Sequence, residues 1–316
     1  MKIANSILLG GLASLAAAKP QHDFDVRLMT YNIRYAATSP TGQEKPWAVR
    51  RPLVAGQLAH ELAGRPDTLL CFQEALHTQV LDIKADLGQG WEYVGVGRDD
   101  GATGGELSPI FYRPEEWKLK EKDTYWLSET PHVVGSVGWD AALPRIVTVA
   151  ELEHKETGKP FVYMCTHFDH RGQVAREKSA ELIVDIADEW ASGNEGASVF
   201  LGGDLNADPE NPAYQTLASR LHDVRDVVPQ ELHYGHDMTF TGFDSNVDND
   251  SMIDHLFVRN PAGLEWESFA VLNTLYEDGI FISDHRPVVV DVRGPGKKGQ
   301  RQNRRRAIRG SHAYGV

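Results

Sequence analysis

The chain has 316 residues, of which 41% are hydrophobic, and a formal net charge of −13 at pH 7. This length allows one large or two ordinary domains with a substantial buried core. The charge is uneven, because residues 295–316 hold seven Lys and Arg and no acidic residue; without these and Lys2 the remainder carries −21. An acidic body argues against tight non-specific binding of nucleic acid, although bound metal ions can offset negative charge in a nuclease.

Residues 1–18 have the pattern of a secretory signal peptide. Lys2 supplies the positive charge, residues 7–15 form a short apolar run, and residues 16–18 are three alanines that offer a cleavage site. The apolar run is too short to span a bilayer. We therefore expect a secreted, extracellular protein whose mature domain covers residues 19–294.

The basic segment 295–316 is rich in Gly and Arg and has little apolar content. We expect it to be a disordered tail. Its role stays open between a solubilising or processed end and an electrostatic tether to polyanions.

Between residues 26 and 292, short runs rich in Val, Ile, Phe, Tyr and Thr alternate with two helical patterns. Strands are predicted over residues 26–35, 67–74, 108–112, 146–152, 160–167, 198–205, 252–258 and 287–292. Apolar residues at near-helical spacing predict helices over residues 47–62 and about 173–191. Mixed strands with helices between them predict an α+β fold in one domain, with sheets packed face to face and helices outside.

Cys71 and Cys165 both lie inside predicted strands. A secreted chain of this size can bury a large core without disulfide staples. We expect two buried thiols, with a single bridge between them as the alternative.

Polar and ionisable side chains stand at the ends of six apolar runs. They are Asn32, Glu74, His167, Asp204 with Asn206, Asp254, and Asp284 with His285. Each one alone is explained by a turn or a helix cap. Together they indicate an active site, because each costs stability at a strand end unless it is paired or coordinated.

The residue types at these strand ends limit which metals could bind there and which reactions the site could catalyse. Asn32, Glu74 and Asp284 offer only oxygen ligands, which suit Mg²⁺ or Mn²⁺. The sequence has no Cys/His set with zinc-ligand spacing, no Gly-x-Ser-x-Gly elbow and no Walker-type phosphate loop. A metal with histidines, an aspartate and an asparagine fits attack of water on a phosphoester.

Six short motifs occur in a fixed order along the chain: TYNIR at 30–34, QE at 73–74, THFDH at 166–170, GGDLN at 202–206, IDH at 253–255 and SDH at 283–285. In this order they resemble the endonuclease/exonuclease/phosphatase family over residues 26–292. The resemblance implies a DNase-I-like, four-layer αββα sandwich that carries a metal-dependent phosphoesterase site at one rim.

The resemblance also implies individual roles. Glu74 is the principal metal ligand, with Asn32, and Asp284 is the remaining carboxylate near the metal. Asp204 orients or activates the attacking water, and Asn206 orients the reacting groups and the phosphoryl oxygens.

On the phosphate side, His285 is expected to contact the scissile phosphate. Asp254 fixes the tautomer of His285 and favours its charged form. His167 contacts the phosphate or protonates the leaving group in some branches; some DNA-repair members have tyrosine there. Arg145 and Arg171 are candidate phosphate contacts, with surface ion pairs as the alternative for each.

These observations favour a secreted phosphodiesterase or nuclease, and the acidic body favours a smaller or single-stranded substrate. A phosphomonoesterase of sugar or inositol phosphates on the same site is the first alternative. A non-catalytic secreted binding protein is the second. We expect no stable membrane association, since the sequence has no apolar docking run of the kind a lipid phosphodiesterase would use, and no obligate protein partner.

Overall fold

Fifteen strands and five α-helices make up the part of the chain that this computed structural model describes, residues 25–194, 197–276 and 278–294. The helices are α1 (Trp47–Leu62), α2 (His77–Leu87), α3 (Gln173–Gly193), α4 (Pro212–Arg220) and α5 (Val224–Val227). The strands are β1 (Asp25–Asn32), β2 (Leu69–Gln73), β3 (Ala75–Leu76), β4 (Glu92–Val94), β5 (Glu106–Leu107), β6 (Ile110–Tyr112), β7 (Trp117–Trp126), β8 (Ile146–His154), β9 (Pro160–His167), β10 (Ser198–Asp204), β11 (His222–Asp223), β12 (His233–Gly235), β13 (Asp254–Val258), β14 (Glu265–Val271) and β15 (Val288–Arg293). The predicted signal peptide 1–18 and tail 295–316 lie outside the described residues.

Two large mixed sheets organise these strands. The first sheet has seven strands in the order β12-β14-β15-β1-β2-β6-β4, and the second has six in the order β11-β13-β10-β9-β8-β7. In the first sheet β1 and β2 are parallel to each other, and they pair antiparallel with β15 and β6 on their outer sides. In the second sheet β9 and β10 are parallel to each other, and they pair antiparallel with β8 and β13 on their outer sides. Strands β3 and β5 form a small separate sheet.

The core has three layers of apolar contact. Side chains of both sheets meet in the middle, for example Leu28 and Leu69 from the first sheet and Phe161 from the second. A second apolar cluster joins the outer face of the second sheet to α3 and α4, and a third joins the outer face of the first sheet to α1 and α2. The predicted four-layer αββα sandwich is confirmed.

The central strands read as continuous apolar runs because they are buried on both faces. In β1 every residue after Asp25 is buried, and in β9 every residue after Pro160 is buried. Helix α1 has the predicted bounds, and α3 ends two residues later than predicted.

The sequence pattern missed α2, α4 and the long strand β7. The middle of β7 is exposed and polar, since β7 is an edge strand of its sheet. Its Lys and Glu residues mask the period-two pattern that marks a half-buried strand. Within the described residues, no helix has the length and apolar character needed to cross a membrane.

The expectation of two free thiols was wrong. Cys71 of β2 and Cys165 of β9 form a disulfide, with their Cα atoms 5.4 Å apart. Because the two strands lie in different sheets that face each other, the sulfur atoms meet in the middle of the core. The disulfide therefore ties the two sheets together.

Removing this cross-link should lower the free energy of unfolding by about 4–5 kcal/mol. The bridged residues are 94 positions apart, and closing a loop of roughly that length restricts the unfolded chain by about this amount. The measurement is urea unfolding of the Cys71→Ala/Cys165→Ala protein against wild type. Wild-type protein unfolded with a reductant is the matched control, because it loses the bond but keeps both sulfur atoms. A difference below about 1 kcal/mol in both comparisons would contradict the prediction.

Candidate active site

The second sheet brings three of the predicted site residues side by side. In its register Asp204, the last residue of β10, pairs with His167, the last residue of β9, and with Asp254, the first residue of β13. Asn206 follows two residues after Asp204, and its backbone N–H donates to Asp204 Oδ1 at 2.8 Å. Four groups predicted from three separate motifs therefore meet at one sheet edge.

The first sheet supplies the remaining groups. Asn32 ends β1, Glu74 directly follows β2, and the Ser283–His285 segment precedes β15. Asn32 Nδ2 donates to Glu74 Oε1 at 3.1 Å and to Asp204 Oδ2 at 2.9 Å, so its amide links the two sheets at the site. The Ser283 hydroxyl donates to the Asn32 carbonyl oxygen at 2.6 Å. The structure thus brings together all eight residues that the sequence placed at strand ends.

The backbone at this rim is strained. Five described residues other than glycine have positive φ angles, and three of them, Arg34, Glu74 and Asn206, lie at this rim, with φ of 58°, 58° and 46°; the other two are Trp139 and Phe243. Such positive angles are rare for residues other than glycine and cluster at functional sites. At Glu74 the unusual backbone turns the side chain toward Tyr35, whose N–H donates to Glu74 Oε2 at 3.1 Å.

His285 is held as a charged ring by carboxylates. Its Nδ1 donates to Asp254 Oδ2 at 2.8 Å, and its Nε2 faces Asp204 Oδ2 at 3.7 Å. Burial alone would lower the pKa of His285, but the charges of Asp254 and Asp204 outweigh it and raise the pKa to about 10. Asp254 therefore orients the His285 ring and favours its charged form.

Asp204 is a fully buried carboxylate whose pKa is raised. Burial first, and then the negative charge of Asp254, raises the pKa of Asp204 to about 7, against the opposing effect of His285. A carboxylate with this pKa can exchange a proton near neutral pH.

His167 is held neutral, in contrast to His285. Burial first, and then the charges of Arg145 and Arg98, lower the pKa of His167 well below its usual value. Its Nε2 accepts from Asn206 Nδ2 at 3.1 Å, so the neutral ring carries its proton on Nδ1. That Nδ1 lies 3.7 Å from Glu106 Oε2.

Sequence reasoning assigned no role to Glu106 or Arg98. Arg98 forms two parallel hydrogen bonds to Glu106, of 2.7 and 3.0 Å, and Glu106 in turn faces His167. The two residues bracket a glycine-rich loop, and Glu106 is the first residue of β5. Phe240 was also missed; its ring lies 4.8 Å from that of His285, between centroids.

Of the two candidate phosphate contacts, Arg145 lies inside the protein and Arg171 on its surface. Arg145 Nε lies 3.4 Å from Asp169 Oδ2, and its Nη2 donates to His170 Nδ1 at 3.0 Å. Its charge reaches His167, whose pKa it lowers. The charge of Arg145 therefore helps to keep His167 neutral, and its contact with phosphate stays a prediction.

The oxygen donors near Glu74 fit a hard divalent cation. Burial, together with the negative charge of Glu74, raises the pKa of Asp284 to about 6, against the charges of His285 and Arg34. Burial would also raise the pKa of Glu74, but Arg34 and His285 outweigh it and lower that pKa. Two carboxylates that repel each other beside an amide oxygen form a donor set that Mg²⁺ or Mn²⁺ would stabilise.

Asp204, Asp254 and His285 also place one potential ligand atom each within 4.8 Å of one another. A charged imidazole has no lone pair to offer a metal, and His285 already donates to Asp254. We therefore interpret this trio as a charged His285 ring that is hydrogen-bonded to Asp254 and faces Asp204 at 3.7 Å, and we keep the prediction that the metal binds beside Glu74.

Known proteins resemble this chain in sequence and in fold. The model of the Endonuclease/Exonuclease/phosphatase family matches residues 29–285. An endonuclease/exonuclease/phosphatase from Bacteroides vulgatus is 33% identical, with a TM-score of 0.76 over 85% of this chain and 98% of that one. A mannosyl-6-phosphatase from Bacteroides thetaiotaomicron is 34% identical, with a TM-score of 0.75 over 84% of this chain and 99% of that one. The human Nocturnin catalytic domain with bound sulfate is 19% identical, with a TM-score of 0.65 over 87% of this chain and 96% of that one. At this identity the two proteins share the fold alone. No curated protein sequence matches the chain.

In metal-free protein, the pKa values of the two buried histidines should be shifted in opposite directions. We expect His285 to stay charged up to about pH 10 and His167 to stay neutral well below its usual pKa. Since the folded-state pKa of His285 lies above its unfolded value, its pairing stabilises the fold fully below about pH 6.5, and this stabilisation is lost as the pH rises through about 10.

The measurement is an NMR titration of histidine side chains in EDTA-treated protein. Asp254→Asn removes the nearest carboxylate charge and should return the pKa of His285 toward its ordinary value. An unchanged His285 titration in that variant would show that Asp254 does not hold the ring charged.

Proposed function

Because the chain belongs to the endonuclease/exonuclease/phosphatase family, we propose that it hydrolyses phosphoester bonds with the help of a divalent metal, and that its substrates are sugar monophosphates. The observation that carries the proposal is the His285–Asp254 pair facing Asp204 on the same rim as Glu74 and Asp284. An acceptor for a proton, a fixed positive charge and an oxygen-rich cation site are what attack of water on a phosphate needs.

Each half of the site has its own part in this reaction. Glu74 and Asp284, with Asn32, would hold Mg²⁺ or Mn²⁺, which acts as a Lewis acid on a phosphoryl oxygen when bound. Asp204 accepts a proton from the attacking water, and the Asn32 amide and the Asn206 N–H fix the direction of its carboxylate.

The histidines serve the phosphate. The charged His285 ring, kept in place by Asp254, stabilises negative charge that develops on the phosphoryl oxygens. The neutral His167 ring is oriented by the hydrogen bond from Asn206 and lies beside Asp204, where we expect it to contact the phosphate.

Two observations favour a small monoester over a nucleic acid as the substrate. From the sequence alone, a nuclease was the first hypothesis and a phosphomonoesterase the alternative, and this order is now reversed. The mannosyl-6-phosphatase is 34% identical over almost its whole length. The arginines around the site are already paired, Arg34 with Glu44, Arg98 with Glu106 and Arg145 with Asp169. A nucleic acid gains most of its affinity from cations that neutralise successive phosphates.

Mature protein with Mg²⁺ or Mn²⁺ should release phosphate from sugar monophosphates faster than it cleaves any diester. The measurement is product release over a panel of mannose, glucose and inositol phosphates, a chromogenic phosphodiester, RNA, and single- and double-stranded DNA. Faster cleavage of a nucleic acid would return the assignment to the nuclease alternative. Silence over the panel in a protein that still binds metal would favour a binding protein.

Three controls connect that activity to the site. EDTA and Glu74→Gln should both abolish metal-dependent turnover, since Glu74 is the principal metal ligand. His285→Ala should reduce turnover by about 10²–10³-fold, the effect of losing one group that stabilises developing negative charge. Near-normal turnover by His285→Ala would contradict the mechanism.

We further infer that the protein is exported. The signal-like pattern of residues 1–18 supports this, and so does the Cys71–Cys165 disulfide, since disulfides persist in oxidising compartments. The expected result is extracellular protein whose first residue is Lys19, measured by N-terminal sequencing. Leu9→Arg, which interrupts the apolar run, should keep the protein in the cell. Extracellular protein that retains Met1 would contradict the prediction.

A further inference from the structure

Arg50, on the inner side of α1, is fully buried, with 0% of its surface exposed. All five of its N–H groups donate to main-chain carbonyl oxygens. Nε donates to Lys45 at 2.9 Å, Nη1 to Ile33 at 2.7 Å and to Ile282 at 3.0 Å, and Nη2 to Arg34 at 3.0 Å and to Tyr35 at 3.2 Å. Its hydrogen bonds thus join α1 to three other segments of backbone.

This way of burying a cation is unusual. Buried charges are ordinarily paired with an opposite charge, whereas the hydrogen bonds of Arg50 go to neutral carbonyl groups. Only a guanidinium can satisfy five acceptors at once, because its donors form a rigid planar fork. The Trp47 ring lies 5.3 Å from the Arg50 carbon Cζ and covers the group from within the same helix.

The carbonyls bound by Nη1 belong to the two segments that carry metal-site residues of the first sheet. Ile33 follows Asn32 at the end of β1, and Ile282 precedes the segment that contains Asp284. One nitrogen atom therefore sets the spacing between these segments. The neighbouring nitrogen holds Tyr35, whose own N–H donates to Glu74.

We propose that Arg50 is a positioning residue that holds Asn32, Glu74 and the Asp284–His285 segment at the spacing that metal binding requires. The inference rests on the proposed function, since it assumes that these oxygens bind Mg²⁺ or Mn²⁺. Arg50 touches none of the reacting atoms and acts through the backbone alone.

The test is Arg50→Lys, because lysine keeps the charge but has three donors for five carbonyls. We expect its Mn²⁺ affinity to fall 10–100-fold, the range found when residues that orient metal ligands are changed. Isothermal titration calorimetry with Mn²⁺ measures this without substrate. A second readout is the far-downfield proton NMR signal of the His285–Asp254 hydrogen bond in metal-free protein, which should shift if the 282–285 segment moves.

Arg27→Lys is the matched control. Arg27 is also buried, but it lies at the opposite end of β1 from Asn32 and pairs with Asp291 and Glu61. Its replacement should lower the melting temperature and leave both the Mn²⁺ affinity and the NMR signal unchanged.

A second variant covers the case in which Arg50→Lys does not fold. Ser283→Ala removes the bond from its hydroxyl to the Asn32 carbonyl, a smaller link between the same two segments, together with the bond that the hydroxyl oxygen accepts from the His285 N–H, and should change both readouts in the same direction. If Arg50→Lys folds and both its Mn²⁺ affinity and the NMR signal of the His285–Asp254 hydrogen bond are unchanged, the proposal is overturned. If Glu74→Gln leaves the Mn²⁺ affinity of the protein unchanged, the metal placement in the proposed function fails, and the NMR signal alone decides the role of Arg50.

Discussion

The Asn32 amide connects the two halves of the site, and the chemistry depends on that connection. It donates to Glu74 in the first sheet and to Asp204 in the second, so it joins the predicted metal ligands to the predicted proton acceptor. Such short hydrogen bonds persist only if the two sheets cannot slide. The Cys71–Cys165 disulfide lies three residues before Glu74 and two before His167 on the same strands, and it fixes the sheets directly beneath the rim.

A second consequence of this packing is that one histidine of the site is charged and the other is neutral. The carboxylates around His285 outweigh its burial and raise its pKa, whereas burial and then the charges of Arg145 and Arg98 lower the pKa of His167. Environments that separate the pKa values of neighbouring groups define which acts as an acid, a base or a fixed charge. Burial disfavours the charged form of both rings, and the sign of the neighbouring charges decides whether that effect is reinforced, as at His167, or outweighed, as at His285.

Much of the fold could be predicted from the sequence, because the central strands are buried on both faces and the helices α1 and α3 carry clear apolar stripes. Strand β7 could not, since its exposed Lys and Glu residues are those of a solvated edge. The disulfide could not either, because two cysteines in separate predicted strands carry no information on whether those strands face each other. Glu106 was missed for a similar reason: its partners Arg98 and His167 are assembled by a loop and a second sheet.

The sequence by itself determined the kinds of groups at the site and their order, because polar residues that end apolar strands are visible as a pattern along the chain. Only the tertiary structure decided how these groups act on one another. It set the charge of His285, the neutrality of His167, the pairing of the cysteines and the five carbonyls around Arg50. The physical reason is that charge, burial and hydrogen bonding depend on distances through space. Those distances are set by the register within each sheet and by the packing of one sheet on the other, between residues far apart in the chain.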